Sequence, residues 1–181
     1  MARLYPQLLG SRCDELAPLL REVHERAMLL RGTVTVTRGA TLLPRLLASL
    51  AGLPRSCSDA PCEVRFELPA GSAAGTERWV RNMAGRRFSS LLIPAAPGEF
   101  EESFGLYRFR FALVLDNGAV EFALRAWSVL GIPLPRALWP RISTRESQQG
   151  GVYLFSVRAE LPWLGLLVAY RGSLRIAEPG S

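Results

Sequence analysis

The residues best suited to chemistry lie in the stretch Trp79 to Ser89. Alternation of polar and apolar positions puts Glu77, Trp79, Arg81 and Met83 on one face of a strand. An indole beside a guanidinium on a concave face holds a planar or anionic group by stacking and a charge-assisted hydrogen bond. The alternative is Trp79 packed in the core with Arg81 paired to an acid, since a buried arginine is rare unless paired. Glu101 and Glu102 stand just ahead of the next aromatic strand. Near Arg81, a buried Glu102 could serve as a general base, although acidic pairs at strand ends are more often solvated. His24, the sole histidine, sits in REVHERA on a helical stretch. It is the third catalytic candidate, but a lone helical histidine with no GxSxG nucleophile elbow is more often a packing residue.

Candidate ligand contacts surround these residues. In YRFRFALVL, Tyr107, Phe109, Phe111, Leu113 and Leu115 share a face. In the following strand Glu121, Ala123, Arg125 and Trp127 share one face, and Val120, Phe122, Leu124 and Ala126 the other. The second set looks more like core; if the interior is lined from the opposite side, Glu121, Arg125 and Trp127 face a pocket. A one-residue shift exchanges the two faces. Tyr153 and Tyr170, on the closing strands, could donate hydrogen bonds inward. Together with Trp79 these make up the ligand-binding set.

Composition excludes several classes of function. The 181 residues suit one domain, 1–181, with 49% apolar and 21% charged residues. The net charge is +6, yet all 22 basic residues are arginine and they are scattered along the chain, so a nucleic-acid partner is not expected. Cys13, Cys57 and Cys62 are odd in number and lack a CxxC, so reduced thiols are expected and no metal site. No cofactor is called for, since no glycine-rich phosphate loop is present. No segment has the apolar length of a membrane span, and the N-terminus lacks the pattern of a secretory leader, so a cytoplasmic location is the expectation.

The elements that must position these groups follow from periodicity. Residues 1–31 read as helical: a short helix from Leu4 closed by Gly10, then a second with Asp14 as N-cap and Leu16, Leu19, Leu20, Val23 and Ala27 on one face. Thr33 to Gly39 alternates as a strand. A third helix covers Leu42 to Leu50, with Leu43, Leu46, Leu47 and Leu50 in one stripe and Pro44 in its first turn. Arg55 to Pro61 reads as loop. From Glu63 on, alternating segments are separated by turn signals, among them Asp116-Asn117-Gly118, whose centres suit a type I′ turn. The segment IPLPRALWP is too proline-rich for a central strand.

A meander of about eight to ten strands must close or expose edges. The expected fold is therefore mainly β (α+β): an antiparallel up-and-down β-barrel, calycin- or lipocalin-like, over residues 32–178. The alternative is a curved sheet gripping a helix.

The order of LYPQLL with His24 downstream, RGTVTVTRG, LAGLP, ERWVRNMAGRRFSS, EESFG, GIPLP and LPWLGLLVAYRGSL resembles the domain of unknown function 4166 family over nearly the whole chain. Asn82-Met83 departs from the aromatic expected in that strand. The resemblance implies a compact mixed domain, in a family often fused to nucleotide-dependent reductase-like domains, and brings no established activity with it.

Three functions fit. The first is binding of an apolar small molecule, such as a lipid, isoprenoid or polyketide, inside the barrel. The second is a cofactor-independent cyclase or isomerase acting on such a molecule by positioning it. The third is an accessory domain docking on a reductase-like partner. The apolar WLGLLVAY hairpin is a candidate homodimer contact.

Overall fold

The computed structural model describes residues 3–26 and 28–177; Ala27 and the chain ends, within the expected 1–181 domain, lie outside the described residues. Ten antiparallel strands form a closed barrel: β1 (Leu29–Arg38), β2 (Cys57–Glu67), β3 (Glu77–Met83), β4 (Arg86–Ala96), β5 (Glu99–Phe104), β6 (Tyr107–Asp116), β7 (Ala119–Val129), β9 (Arg141–Gln149), β10 (Val152–Leu161) and β11 (Gly165–Ile176). β8 (Ile132–Pro133) is a two-residue strand appended to β7. Each barrel strand pairs with its neighbour in sequence, and β1 with β11 completes the ring. Closure removes the edges that a meander would otherwise expose, and with them the gripped-helix alternative.

The hairpin signal at residues 116–118 is realised, with Asn117 at φ 49° and Gly118 at φ 81°. Three expectations are corrected. Residues 29–31, expected in the helical segment 1–31, open β1 and pair with β2 and β11, so the barrel starts at Leu29 rather than at residue 32. Residues 57–61 are strand, not loop: they pair with β1 beyond the point where β3 ends, so Pro61 removes no ladder donor that a neighbour needs. Asp14 is not an N-cap. Residues Gly10–Glu15 form a 3-10 helix and Asp14 pairs with Arg21 at 3.0 Å. The second helix starts at Pro18, whose fixed φ and missing N–H suit the first turn.

The helices finish the two ends of the barrel. α1 (Leu4–Leu9) and α2 (Pro18–Glu25) lie at the end bearing the 117–118 and 150–151 turns. The Ala17 amide donates to the Gly118 carbonyl (2.9 Å) and the Leu19 amide to Gln148 Oε1 (2.7 Å), which ties α2 to two strands. Leu4, Tyr5, Leu20 and Val23 are fully buried there and form a floor. α3 (Leu42–Leu50) sits at the opposite end, against β1 and β11. It buries Pro44 and Ala48, while Leu43, Leu46 and Leu50 of the expected stripe face outward and only Leu47 is half-buried.

Candidate functional site

Inside the walls lies a cavity of about 330 Å³, within the range of small-molecule pockets. Its surface is mostly aromatic and aliphatic, interrupted by two polar groupings.

The first is on β3, β4 and β5. Alternation aims Trp79 and Arg81 inward, as it does Ser90 and Glu102 on the neighbouring strands. Arg81 donates to Ser90 Oγ (2.9 Å) and pairs with Glu102 at 3.5 Å, with both side chains largely buried. Its guanidinium lies 5.3 Å from the Trp79 ring centre and 5.9 Å from that of Phe88. Burial pushes the Tyr170 hydroxyl up to about 12, against the opposing pull of Arg81. Burial likewise pushes the Cys62 thiol up to about 12, which leaves it protonated and poorly nucleophilic.

The second grouping centres on Glu146 of β9, which reaches the cavity beside Tyr153. Glu146 Oε2 accepts from the Tyr5 hydroxyl (2.9 Å) and from His24 Nε2 (2.9 Å), and the Tyr153 hydroxyl lies close enough to feel this carboxylate's charge. The hydroxyls of Tyr5 and Tyr153 are raised well above the usual phenol range, first by burial and then by the Glu146 charge. His24 stacks on Tyr5 with centroids 3.6 Å apart. Its Nδ1 is buried without a partner among the described residues. His24 thus stands behind the wall, hydrogen-bonded to Glu146 and packed on the backs of Phe66, Trp79 and Tyr153.

Beneath both groupings Glu77 is completely buried. It accepts from the Leu4 amide (2.9 Å) and from Trp79 Nε1 (2.8 Å), and pairs with Arg3 at 3.2 Å. One carboxylate thereby fastens the floor and orients the indole.

Tyr107, Phe109, Phe111, Trp127, Tyr153 and Tyr170 all line the cavity. Glu121 and Arg125 do not. Glu121 points outward and bonds Arg145 at 2.6 Å, and Arg125 is exposed. A β-bulge separates them from Trp127. Arg110 pairs with Ala126 and Phe111 with Leu124, so Arg125 is an extra residue on β7. Before it, Val120, Phe122 and Leu124 face inward; after it, Trp127 and Val129 do. Trp127 then stacks parallel to Phe109, 6.3 Å away, and its Nε1–H is buried without a partner among the described residues.

Sequence reasoning missed Glu146 because β9 carries few apolar residues. Its inward positions are Ile142, Thr144, Glu146 and Gln148, so hydrophobic alternation is nearly absent. It missed Tyr5 and Glu77 as anchors because Glu146, which Tyr5 binds, and Leu4 and Arg3, which Glu77 binds, lie far away in sequence. Among the described residues no three His, Cys, Asp or Glu side chains are grouped as metal ligands.

The model of the family described as domain of unknown function (DUF4166) matches residues 16–174. The chain belongs to the DUF4166 family. The match spans α2 and the barrel up to Leu174 of β11, and so includes Arg81, Glu102 and Glu146. Tyr5 and Arg3 lie outside the DUF4166 match. No curated protein matches the chain.

Proposed function

We propose that this DUF4166 domain binds an apolar small molecule in the barrel interior, with at least one oxygen function on the ligand. The cavity itself carries the reading: aromatic rings supply apolar contact, while Arg81, Tyr170 and the unpartnered Trp127 Nε1–H supply donors for an oxygen. Lipids, isoprenoids and polyketides share this chemistry. Native mass spectrometry of protein isolated from cells tests it. The expected result is an adduct that Val64→Trp, which fills the cavity, removes. Protein that carries no adduct and takes up no fatty acid, isoprenoid alcohol or aromatic polyketide refutes it.

A second reading is a cofactor-independent isomerase or cyclase. It is favoured by the presence of a paired cation and carboxylate, Arg81 and Glu102, and a separate carboxylate, Glu146, around one apolar space. Arg81 would polarise a substrate oxygen and Trp79 orient the chain, with a carboxylate accepting the proton. Turnover of a bound ligand that survives both Arg81→Met and Glu146→Gln excludes this role.

A further inference from the structure

The mouth of the barrel is finished unlike the rest of the surface. Every exposed large apolar side chain among the described residues, except Ile93 and Val114, lies at this end. On α3 the leucines at positions 42, 46 and 50 form one outward row, with Leu42 86% and Leu50 75% exposed. A surface helix ordinarily turns such a row to the core. Leu106 and Leu130 continue the apolar rim on neighbouring turns, and Trp163, 87% exposed, caps the β10–β11 hairpin.

Charge at the mouth is one-sided. The connections 39–56, 84–85, 105–106, 130–140 and 162–164 contain no aspartate or glutamate. They carry Arg45, Arg55 and Arg136, and Arg38, Arg86 and Arg87 stand at the adjoining strand ends. Four of these arginines are close enough to repel: burial first, and then the charges of Arg86, Arg55 and Arg45, lower the Arg38 guanidinium from its ordinary value. Arg38 is held by the Pro54 carbonyl (2.7 Å), the Leu53 carbonyl and Ser49 Oγ (2.8 Å), none of them an anion. Glu160, at the end of β10, is already bonded to Arg158 (2.9 Å). The arginines that look scattered in the sequence are therefore gathered by the fold around an apolar ring whose connections carry no acid, the exposed Asp59 near the start of β2 lying beyond them.

We propose that this mouth docks on an anionic lipid bilayer, with the α3 leucines and Trp163 in the interfacial layer and the arginines on lipid phosphates. Leucine and tryptophan beside arginine are the residues that enter the interface. Arginines near an anionic surface add attraction that a neutral bilayer lacks. The same mouth opens into the cavity, whose lining includes Leu47, Ala51 and Leu53, so a docked domain would exchange an apolar ligand with the membrane without passing it through water.

Co-sedimentation of the full chain tests this with two vesicle types: phosphatidylcholine alone, and phosphatidylcholine with about 30% phosphatidylglycerol. The expected result is binding to the anionic vesicles only, weakened by salt, with a blue shift of tryptophan emission that Trp163→Phe abolishes. Replacing Arg45, Arg55 and Arg87 together by serine is expected to lower partitioning on the order of 100-fold. Replacing Leu42, Leu46 and Leu50 by serine is expected to lower it at least about tenfold. Each variant leaves the other's groups in place, and the comparison of vesicles needs no variant. Absence of binding, equal binding to both vesicles, or binding unaffected by either triple variant overturns the proposal. So does sedimentation velocity showing a dimer, or a complex with a reductase-like protein, that the leucine variant dissolves while vesicles are ignored. Vesicle binding is read without a ligand in the barrel, so its failure leaves the cavity reading standing, and the reverse also holds.

Discussion

At the floor of the barrel, carboxylates are enclosed and answered by donors from distant parts of the chain. Glu77 gathers Arg3, the Leu4 amide and Trp79; Glu146 gathers Tyr5 and His24. At the mouth there is no acid in any connection, and leucines face outward. The two ends divide the labour of the fold. The floor fixes one arrangement, because a buried polar group left unpaired costs more than its pairing gains. The mouth commits little to stability, and its residues are free to serve whatever meets the opening.

This contrast is open to direct tests by denaturation. The largest effect belongs to Glu77→Ala. It strands the buried Arg3 charge and two N–H groups, and is expected to cost about 3–5 kcal/mol in urea unfolding. A loss under about 1 kcal/mol would mean that the floor is not held electrostatically.

Alkali should also act on the floor. Tyr5 and Tyr153 have hydroxyls raised in the folded state above the ordinary 10.0, so the unfolded chain loses those protons first. Their stabilising effect is complete below about pH 10 and falls as pH rises towards the folded values. The decline is about 1.4 kcal/mol per pH unit for each such group. Cys62, raised from 9.0 to about 12, adds a decline that begins near pH 9. In Tyr153→Phe the slope of the unfolding free energy against pH above 10 is expected to become shallower; an unchanged slope would remove Tyr153 from the account.

At neutral pH, Tyr5→Phe deletes only the hydroxyl that serves Glu146 and is expected to lose about 1–2 kcal/mol. The smallest effect is expected at the mouth, where Leu50→Ser should shift stability by no more than about 0.5 kcal/mol. Thermal melts of both variants side by side test whether the two ends differ as described.

The sequence makes much of this legible. Period-two alternation identifies the barrel, the face shared by Trp79 and Arg81, and the aromatic row from Tyr107, but not which of the two faces points inward. Gly10 marks the true end of the first helix and the Asn-Gly pair a true chain reversal. What stays hidden depends on contacts across the fold. The polar strand β9 offers no alternation to read, so Glu146 stays invisible until the barrel surrounds it. The bulge at Arg125 has no signature in composition, and without it Trp127 and Arg125 share a face while Trp127 and Phe122 do not. The leucine stripe of α3 is legible as a stripe, but a helix pattern shows that leucines align, not which way the aligned row points.

The bulge at Arg125 has a further consequence for how such a barrel can change over generations. The bulge takes up one extra residue, so the residues of β7 after it keep the inward or outward aspect that pairing with β6 sets. Loss of that single residue would close the bulge into strict alternation, with Leu124 in, Ala126 out and Trp127 in, and leave the wall lined as it is. A point substitution at Trp127 alters a contact with the cavity; a codon lost at Arg125 alters none. In this strand, one residue of chain length is a heritable variable to which the cavity is indifferent.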